Sequence, residues 1–244
     1  MLKSVRRTLA RQNIKPWREK MWCVPRIDQE FIAKMKDVLE LYARPYNPRE
    51  PVVALDERPT PLRAPARPDL PMRPRHLHRR DYEYIRCGTA NVFCIVEPKG
   101  GRHLTHATAN RKKPAFVAAL KKIARAYPDA RRIHLVLDNL NIHCNKTITE
   151  VLGQAGAALA ERFAFHFTPK HASWLNVAEI EASLVSRECL GRDRIPSLAD
   201  LRRRITPWNR AANRRKRSIK WRFTVRDAER VFRANWFNNL ATKH

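Results

Sequence analysis

Two short apolar runs of the chain each lead into an aspartate. Residues 51–55 (Pro-Val-Val-Ala-Leu) precede Asp56, and residues 133–137 (Ile-His-Leu-Val-Leu) precede Asp138. Such runs predict buried strands, and functional groups in open α/β sheets collect where strands end. If the two strands are neighbours, their carboxylates converge and repel each other unless a cation lies between them. Ligand sets made only of oxygen suit Mg²⁺ or Mn²⁺ rather than zinc.

A helix predicted from Ser173 to Cys189 offers a third carboxylate, from Glu179 or Glu181. Side chains two positions apart on a helix differ in direction by about 200°, so only one of them can face the site. Glu179 falls on a polar flank with Asn176 and Ser183, whereas Glu181 falls on the opposite flank, so we predict Glu179 as the ligand. The alternatives stay open: a solvated face for the glutamate, and turn or helix-cap roles for the aspartates.

Three blocks of sequence surround these acids: Leu-Asp-Glu at 55–57, Leu-Asp-Asn-Leu-Asn-Ile-His at 137–143, and Thr-Pro-Lys-His-Ala-Ser-Trp-Leu-Asn-Val-Ala-Glu at 168–179. In type and order they resemble the DDE transposases of bacterial insertion sequences, and more narrowly the bacterial branch of the Tc/mariner superfamily. The last block is the most specific. The 41 positions from Asp138 to Glu179 slightly exceed the family's usual interval.

The resemblance implies an RNase H-like core in which Asp56, Asp138 and Glu179 are the catalytic residues and hold two Mg²⁺ or Mn²⁺ ions. It implies that metal-activated water cuts DNA at the element's end and that the freed 3′-OH then attacks target DNA. Two metals clamp the attacking and leaving oxygens, so no Ser, Tyr or Cys nucleophile is required. Asn139, His143 and Asn176 match the family's blocks and are predicted to support the site. His143 fits equally well as a core or cap histidine.

Two further functions remain open from the sequence. One is a catalytically idle DNA-binding remnant of an insertion sequence, and the other is an RNase H-like nuclease that cleaves DNA without joining it. Members of the family usually begin with a helix-turn-helix that reads the terminal repeats. Here only its last helix is recognisable, at residues 4–12, so we expect end recognition to be missing while the metal site is kept.

Strands and helices alternate along the chain, which predicts an α/β fold with a mixed sheet covered on both faces. Residues 58–84 hold six prolines and are predicted to form an extended basic loop, because proline disrupts helices and sheet ladders. The predicted strands are 51–55, 91–97, 103–108, 133–137 and 163–167, and the predicted helices are 28–43, 113–127, 147–162, 173–189 and a basic helical region from 197. The predicted domains are a helix-turn-helix remnant (1–27), a linker helix (28–50), the catalytic core (51–195) and a basic helical extension (196–244).

The composition is strongly basic, with 50 Lys+Arg against 23 Asp+Glu and a formal net charge of +27. Such a field favours a polyanionic partner, here double-stranded DNA, and bringing two element ends together would require at least a homodimer. Trp208, Trp221 and Phe223 lie among basic residues and fit either base stacking or core packing. The predicted DNA contacts are Arg73, Arg75, Arg79, Arg80, Lys170, Arg202, Arg203, Arg214, Arg215, Lys216 and Arg217.

Several other classes of protein are excluded by pattern. No apolar run approaches the roughly 20 residues that a membrane span needs, and the first residues lack the apolar segment of a secretory signal. No glycine pattern matches a nucleotide-binding loop. The five cysteines form no CxxC pair, which predicts a reducing compartment, the cytoplasm.

Overall fold

The computed structural model describes residues 27–140 and 142–232, together with Thr8 and Arg11. The helix predicted at 4–12 and the helix-turn-helix remnant at 1–27 otherwise lie outside the described residues. The strands are β1 (Val52–Pro65), β2 (Tyr84–Glu97), β3 (Arg102–Thr108), β4 (Ile133–Leu137) and β5 (Phe163–Phe167). The helices are α1 (Gln29–Ala43), α2 (Lys113–Ala126), α3 (Asn145–Leu152), α4 (Ala157–Glu161), α5 (Ala178–Leu184), α6 (Leu198–Arg215) and α7 (Val225–Val231).

The five strands form one mixed sheet in the order β3-β2-β1-β4-β5. β1 pairs antiparallel with β2, and β2 pairs antiparallel with β3. β1 and β4 are parallel neighbours, as are β4 and β5. The strands that carry or precede Asp56 and Asp138 therefore lie side by side at the centre of the sheet, which meets the condition under which their carboxylates would converge.

Helices cover both faces of the sheet, which confirms the predicted layers. Successive side chains along a strand point to opposite faces, and in β1 Val53 and Leu55 belong to a core cluster built with α2 and α3. Ala54 belongs to the opposite cluster, which contains α1 and the start of α5. The same alternation places Asp56 on the α5 side and Glu57 on the α2 side.

The strand predicted over 51–55 is too short, and the extended loop predicted over 58–84 is wrong in part. β1 continues to Pro65 and β2 begins at Tyr84, so part of the proline-rich segment is strand. Pairing of β1 with β4 stops at Ala54, and beyond it no strand among the described residues pairs with that edge of β1. Pro59 and Pro61 are two positions apart, so both missing N–H groups lie on this edge, where proline is tolerated.

Two predicted helices are broken in the structure. The helix expected over 147–162 ends at Leu152, where Gly153 adopts a φ of +62°, and α4 follows a 3₁₀ turn at Gly153–Gly156. The helix expected over 173–189 consists of a 3₁₀ turn at Ser173–Leu175, then α5, then a π-helical turn at Val185–Leu190. The start of α1 is confirmed: Asp28 accepts a hydrogen bond from the Phe31 N–H at 2.8 Å.

Side chains from α6 and α2 cover the free edge of β3. The Thr105 N–H donates to Asn209 Oδ1 at 2.8 Å, and the His103 N–H donates to Asn213 Oδ1 at 2.9 Å. Lys122 Nζ donates to the Thr105 carbonyl at 2.6 Å. An uncovered edge strand is a template for aggregation, and these side chains satisfy its backbone groups while holding α6 against the sheet.

We expect Asn209→Ala to lower the free energy of unfolding by roughly 1–3 kcal/mol, because the N–H of Thr105 on the β3 edge loses its partner. Urea denaturation measures the change. Arg210→Ala, at the next position and without a hydrogen bond to any described residue, should change it by less than about 0.5 kcal/mol. Equal losses for the two variants would contradict this account of the β3 edge.

Candidate active site

Asp56 lies in β1 opposite Cys94 of β2, on the face covered by α5. One of its oxygens, Oδ1, accepts a hydrogen bond from the Glu57 N–H at 2.8 Å. Burial raises the pKa of Asp56 to about 7, with further contributions from the negative charges of Glu179, Glu57 and Asp138. The negative charges of Glu57, Asp138 and Glu179 therefore act on Asp56.

Asp138 follows β4 directly and is held by His143. His143 Nδ1 lies 2.7 Å from Asp138 Oδ1 and 3.1 Å from the Asp138 carbonyl oxygen, while His143 Nε2 lies 2.8 Å from Glu57 Oε1. The ring packs 4.7 Å from Phe116 and is only 1% exposed. Burial by itself would lower the pKa of His143, but the contacts with Asp138 and Glu57 outweigh it and raise the pKa to about 9. His143 thus links Asp138 to Glu57 through its two ring nitrogens.

Glu179 lies in the first turn of α5, and Asn176 fixes where that helix begins. Asn176 Nδ2 donates to the Leu55 carbonyl at 2.9 Å, and its Oδ1 accepts from the Ala178 N–H at 3.1 Å. The Asn176 carbonyl also accepts from the Glu179 N–H at 3.1 Å. Because Leu55 immediately precedes Asp56, one buried amide side chain sets the position of Glu179 relative to Asp56.

Glu181, which the sequence placed on the flank opposite Glu179, is fully buried. Its Oε2 lies 2.8 Å from His103 Nδ1, and both side chains are at most 2% exposed. His103 Nε2 lies 3.0 Å from the Arg217 carbonyl oxygen. The pair joins α5 to β3. The sequence signal that could have indicated the burial of His103 is the two-residue alternation of side chains along β3. This alternation puts His103 and Thr105 on the same inward face of the strand.

The most compact group of potential ligands among the described residues is not the predicted one. Glu57, Asp138 and His143 offer ligand atoms that all lie within 4.8 Å of one another, and Asp56 and Glu179 stand outside this group. Asp138 Oδ1 is buried, and its 2.7 Å approach to His143 Nδ1 is a charge contact rather than a well-directed hydrogen bond. The group of Glu57, Asp138 and His143 includes a nitrogen donor. The predicted set of Asp56, Asp138 and Glu179 offers only carboxylate oxygens, the ligand type that Mg²⁺ and Mn²⁺ prefer.

The cations predicted to contact DNA fall into two groups in the structure. Arg80 pairs with Asp69 and Asp193, Arg203 pairs with Asp200, and Arg217 pairs with Glu188. The exposed cations without an ion pair to any described residue are Arg73, Arg75, Arg79, Lys170, Arg202, Arg214, Arg215 and Lys216. Asn139 is exposed beside Asp138.

The three aromatic residues of the basic region pack against the protein body. Trp208 lies against the cluster of α6 and the π-helical turn, and Trp221 and Phe223 lie against the cluster of α1. The Trp221 ring centroid is 5.2 Å from that of Tyr42. This geometry corresponds to core packing, the second of the two roles that the sequence left open.

A five-stranded mixed sheet of this order, with acids gathered beside its central strands, is the arrangement of RNase H-like catalytic domains. The chain belongs to the DDE superfamily endonuclease family, whose pattern matches residues 51–202. No curated protein sequence matches it. Within the described residues, no helix combines the length and apolar character needed to cross a membrane.

Solved structures of Mos1 transposase share the fold. A pre-cleavage Mos1 transpososome aligns with a TM-score of 0.56 at 14% identity, over 96% of this chain and 70% of that one. The Mos1 mariner paired end complex with Mn aligns with a TM-score of 0.54 at 13% identity, over 86% of this chain and 63% of that one. The Mos1 strand transfer complex aligns with a TM-score of 0.53 at 14% identity, over 98% of this chain and 69% of that one. This chain thus spans about two thirds of the length of these solved chains.

The buried His103–Glu181 pair predicts a pH dependence of stability. Burial acts to lower the pKa of His103, and the bond to Glu181 outweighs it and raises that pKa above its usual 6.5, against a smaller opposing effect of the Arg217 charge. A pKa that is higher in the folded chain than in the unfolded chain stabilises the folded state. This stabilisation is fully present below about pH 6.5 and is lost as the pH rises through the pKa of the folded chain.

The free energy of unfolding should therefore fall more steeply above pH 6.5 in the wild-type chain than in His103→Gln. Urea denaturation in metal-free buffer between pH 5.5 and 9 measures both curves. Parallel curves would show that the His103–Glu181 pair does not carry a proton-linked part of the stability.

Proposed function

We propose that this chain is a transposase-type polynucleotidyl transferase that cuts and joins DNA at insertion-sequence ends, using two Mg²⁺ or Mn²⁺ ions. The observation that carries the proposal is the set Asp56, Asp138 and Glu179: burial first, then the charge of Glu179 and to a smaller extent that of Asp138, raise the pKa of Asp56. Like charges packed at a sheet centre are stabilised by a hard cation between them. The three side chains would supply its oxygen ligands.

Bound divalent ions would supply Lewis-acid activation of water and of the scissile phosphate. The protein's own part is to hold the ligands, because catalysis of this type depends on positioning. Asn176 fixes the helix of Glu179 to β1, and the His143–Glu57 pair fixes Asp138 after β4. We assign Asn176, His143 and Glu57 as positioning residues, and Asp56, Asp138 and Glu179 as the catalytic residues.

DNA is the substrate that the charge of the chain favours, at a formal net charge of +27. Two Mos1 structures support the class of reaction by their descriptions: a paired end complex with Mn and a strand transfer complex. Pairing of two ends would place this chain in a homodimer, with double-stranded end and target DNA as partners. The exposed, unpaired Arg73, Arg75, Arg79, Lys170, Arg215 and Lys216 remain candidates for phosphate contact.

Metal binding should appear as a gain in thermal stability. If Mn²⁺ binds the folded chain only, at a concentration about 100 times its dissociation constant it adds roughly 2.7 kcal/mol. Asp56→Asn should lose most of that gain, and in metal-free buffer it should be no less stable than wild type, because a repelling charge is removed. A melting series with Mn²⁺ measures both effects, with Glu150→Gln, a surface carboxylate of α3, as control. An unchanged Mn²⁺ gain in Asp56→Asn would rule out that side chain as a ligand.

The enzymatic activity is tested with supercoiled DNA carrying the insertion-sequence ends, incubated with Mg²⁺ or Mn²⁺. We expect metal-dependent nicking followed by strand joining, and a loss of at least about 100-fold in Asp138→Asn, with Glu150→Gln unaffected. Nicking without joining would favour the nuclease instead. Binding without nicking would favour the idle DNA-binding remnant, and either result overturns the proposal.

A further inference from the structure

A cleft of about 770 Å³ runs along the free edge of β3, between α2 on one face of the sheet and α6 on the other. Its floor is the β3 backbone around Thr105. Its walls carry an unusual concentration of positive side chains. The side chains that matter here are His106, Lys122, Arg202, Thr206, Arg210 and Arg214.

The positive charge of this cleft is not compensated. No aspartate or glutamate lines it, and Arg202, Arg210 and Arg214 form no ion pair within the described residues. Burial lowers the pKa of Lys122, and burial together with the Lys122 and Arg202 charges lowers that of His106. A lysine that is partly withdrawn from water beside unpaired arginines gains from a bound anion.

Neighbouring cations show the opposite arrangement. Arg204, also on α6, lies 2.7 Å from Asp193, and Arg203 also pairs with an acid of the same helix. Arg217, just beyond α6, makes two bonds with Glu188, at 2.7 and 3.0 Å. Three of the four α6 arginines without an ion pair to a described residue line the cleft; the fourth, Arg215, does not.

The spacing of the cleft residues fits a chain of phosphates better than one isolated anion. Arg202, Thr206, Arg210 and Arg214 recur every four positions, which forms a row along one side of α6. Twelve positions at about 1.5 Å each give the row a length of about 18 Å. One strand of DNA carries a charge about every 3.4 Å along its axis, so the row matches about five phosphates.

The cleft lies two strands away from Asp56 across the sheet. Asp56 pairs with Cys94, and Cys94 pairs with Thr105 on the cleft floor. Two strand spacings of about 4.8 Å separate Asp56 from that floor, roughly 10 Å in the plane of the sheet. Buried Cys94 and the helices packed on it lie between the two, so the cleft is a separate surface of the same sheet.

We propose that this cleft binds the sugar–phosphate backbone of a DNA strand without reading its sequence, with Arg210 and Lys122 as contacts in addition to Arg202 and Arg214. The proposal rests on the proposed function for the identity of the polyanion as DNA. It requires no catalysis. Binding in EDTA therefore tests it separately from cutting and joining.

The sharpest test adds a charge without removing an arginine. Thr206 is exposed in the middle of the row, and its hydroxyl donates only to the Arg202 carbonyl among the described residues, at 2.8 Å. Thr206→Glu puts a carboxylate among the arginines, and Thr206→Gln is its neutral match. Fluorescence anisotropy of the full chain with a 30-base-pair duplex of random sequence, in EDTA at 50–300 mM salt, measures affinity and salt dependence.

We expect Thr206→Glu to weaken binding and to reduce the slope of log affinity against log salt by about 0.9, the value of one phosphate contact. Thr206→Gln should keep the wild-type slope. The double variant Arg210→Gln, Arg214→Gln should reduce the slope by about 1.8. The control double variant Lys36→Gln, Arg226→Gln removes the same charge from α1 and α7 and should change the slope less. If Glu and Gln at position 206 behave alike, or if both double variants lose the same slope, the cleft is not a phosphate site. Circular dichroism confirms that each variant is folded.

Discussion

Repulsion between carboxylates is the constraint on which the rest of this structure depends. The central strands β1 and β4 and the start of α5 bring negative charges toward Asp56, and burial there raises the cost of ionising it. Such an arrangement persists only because the surrounding sheet and helices are well packed: Leu55 and Leu137, next to the two aspartates, are fully buried. The fold thus holds together charges that would separate in an isolated peptide, which is the state a divalent cation stabilises.

Two buried glutamate–histidine pairs provide the rigidity that this constraint needs. Glu57 follows Asp56 and binds His143, which holds Asp138. Glu181 lies two positions after Glu179 and binds His103 of β3. Buried ion pairs add little net stability, since removing charges from water costs about as much as pairing returns. Here the two pairs act mainly by holding the acidic residues in position, because each pair fixes one element of the acidic cluster to a neighbouring strand or loop.

The central part of the fold was predictable from sequence because its signals are local. Short apolar runs at 133–137 and 163–167 gave strands with the observed bounds, and Asp28 marked the start of α1. The ends of β1 were not predictable, since Pro59 and Pro61 are tolerated only because no described strand pairs with that edge of β1 there, a property of the assembled sheet. The burial of Glu181 and the bridging role of His143 likewise depend on partners 78 and 86 positions away in sequence. The predicted ligand roles of Asp56, Asp138 and Glu179 stay predictions.

The most direct measurement is the position of Mn²⁺ in crystals of the full chain, located by anomalous diffraction. The account predicts two ions about 3.5–4 Å apart, coordinated by the carboxylates of Asp56, Asp138 and Glu179, with His143 still bonded to Glu57. A single ion held by Glu57, Asp138 and His143, with Asp56 and Glu179 uncoordinated, would contradict it.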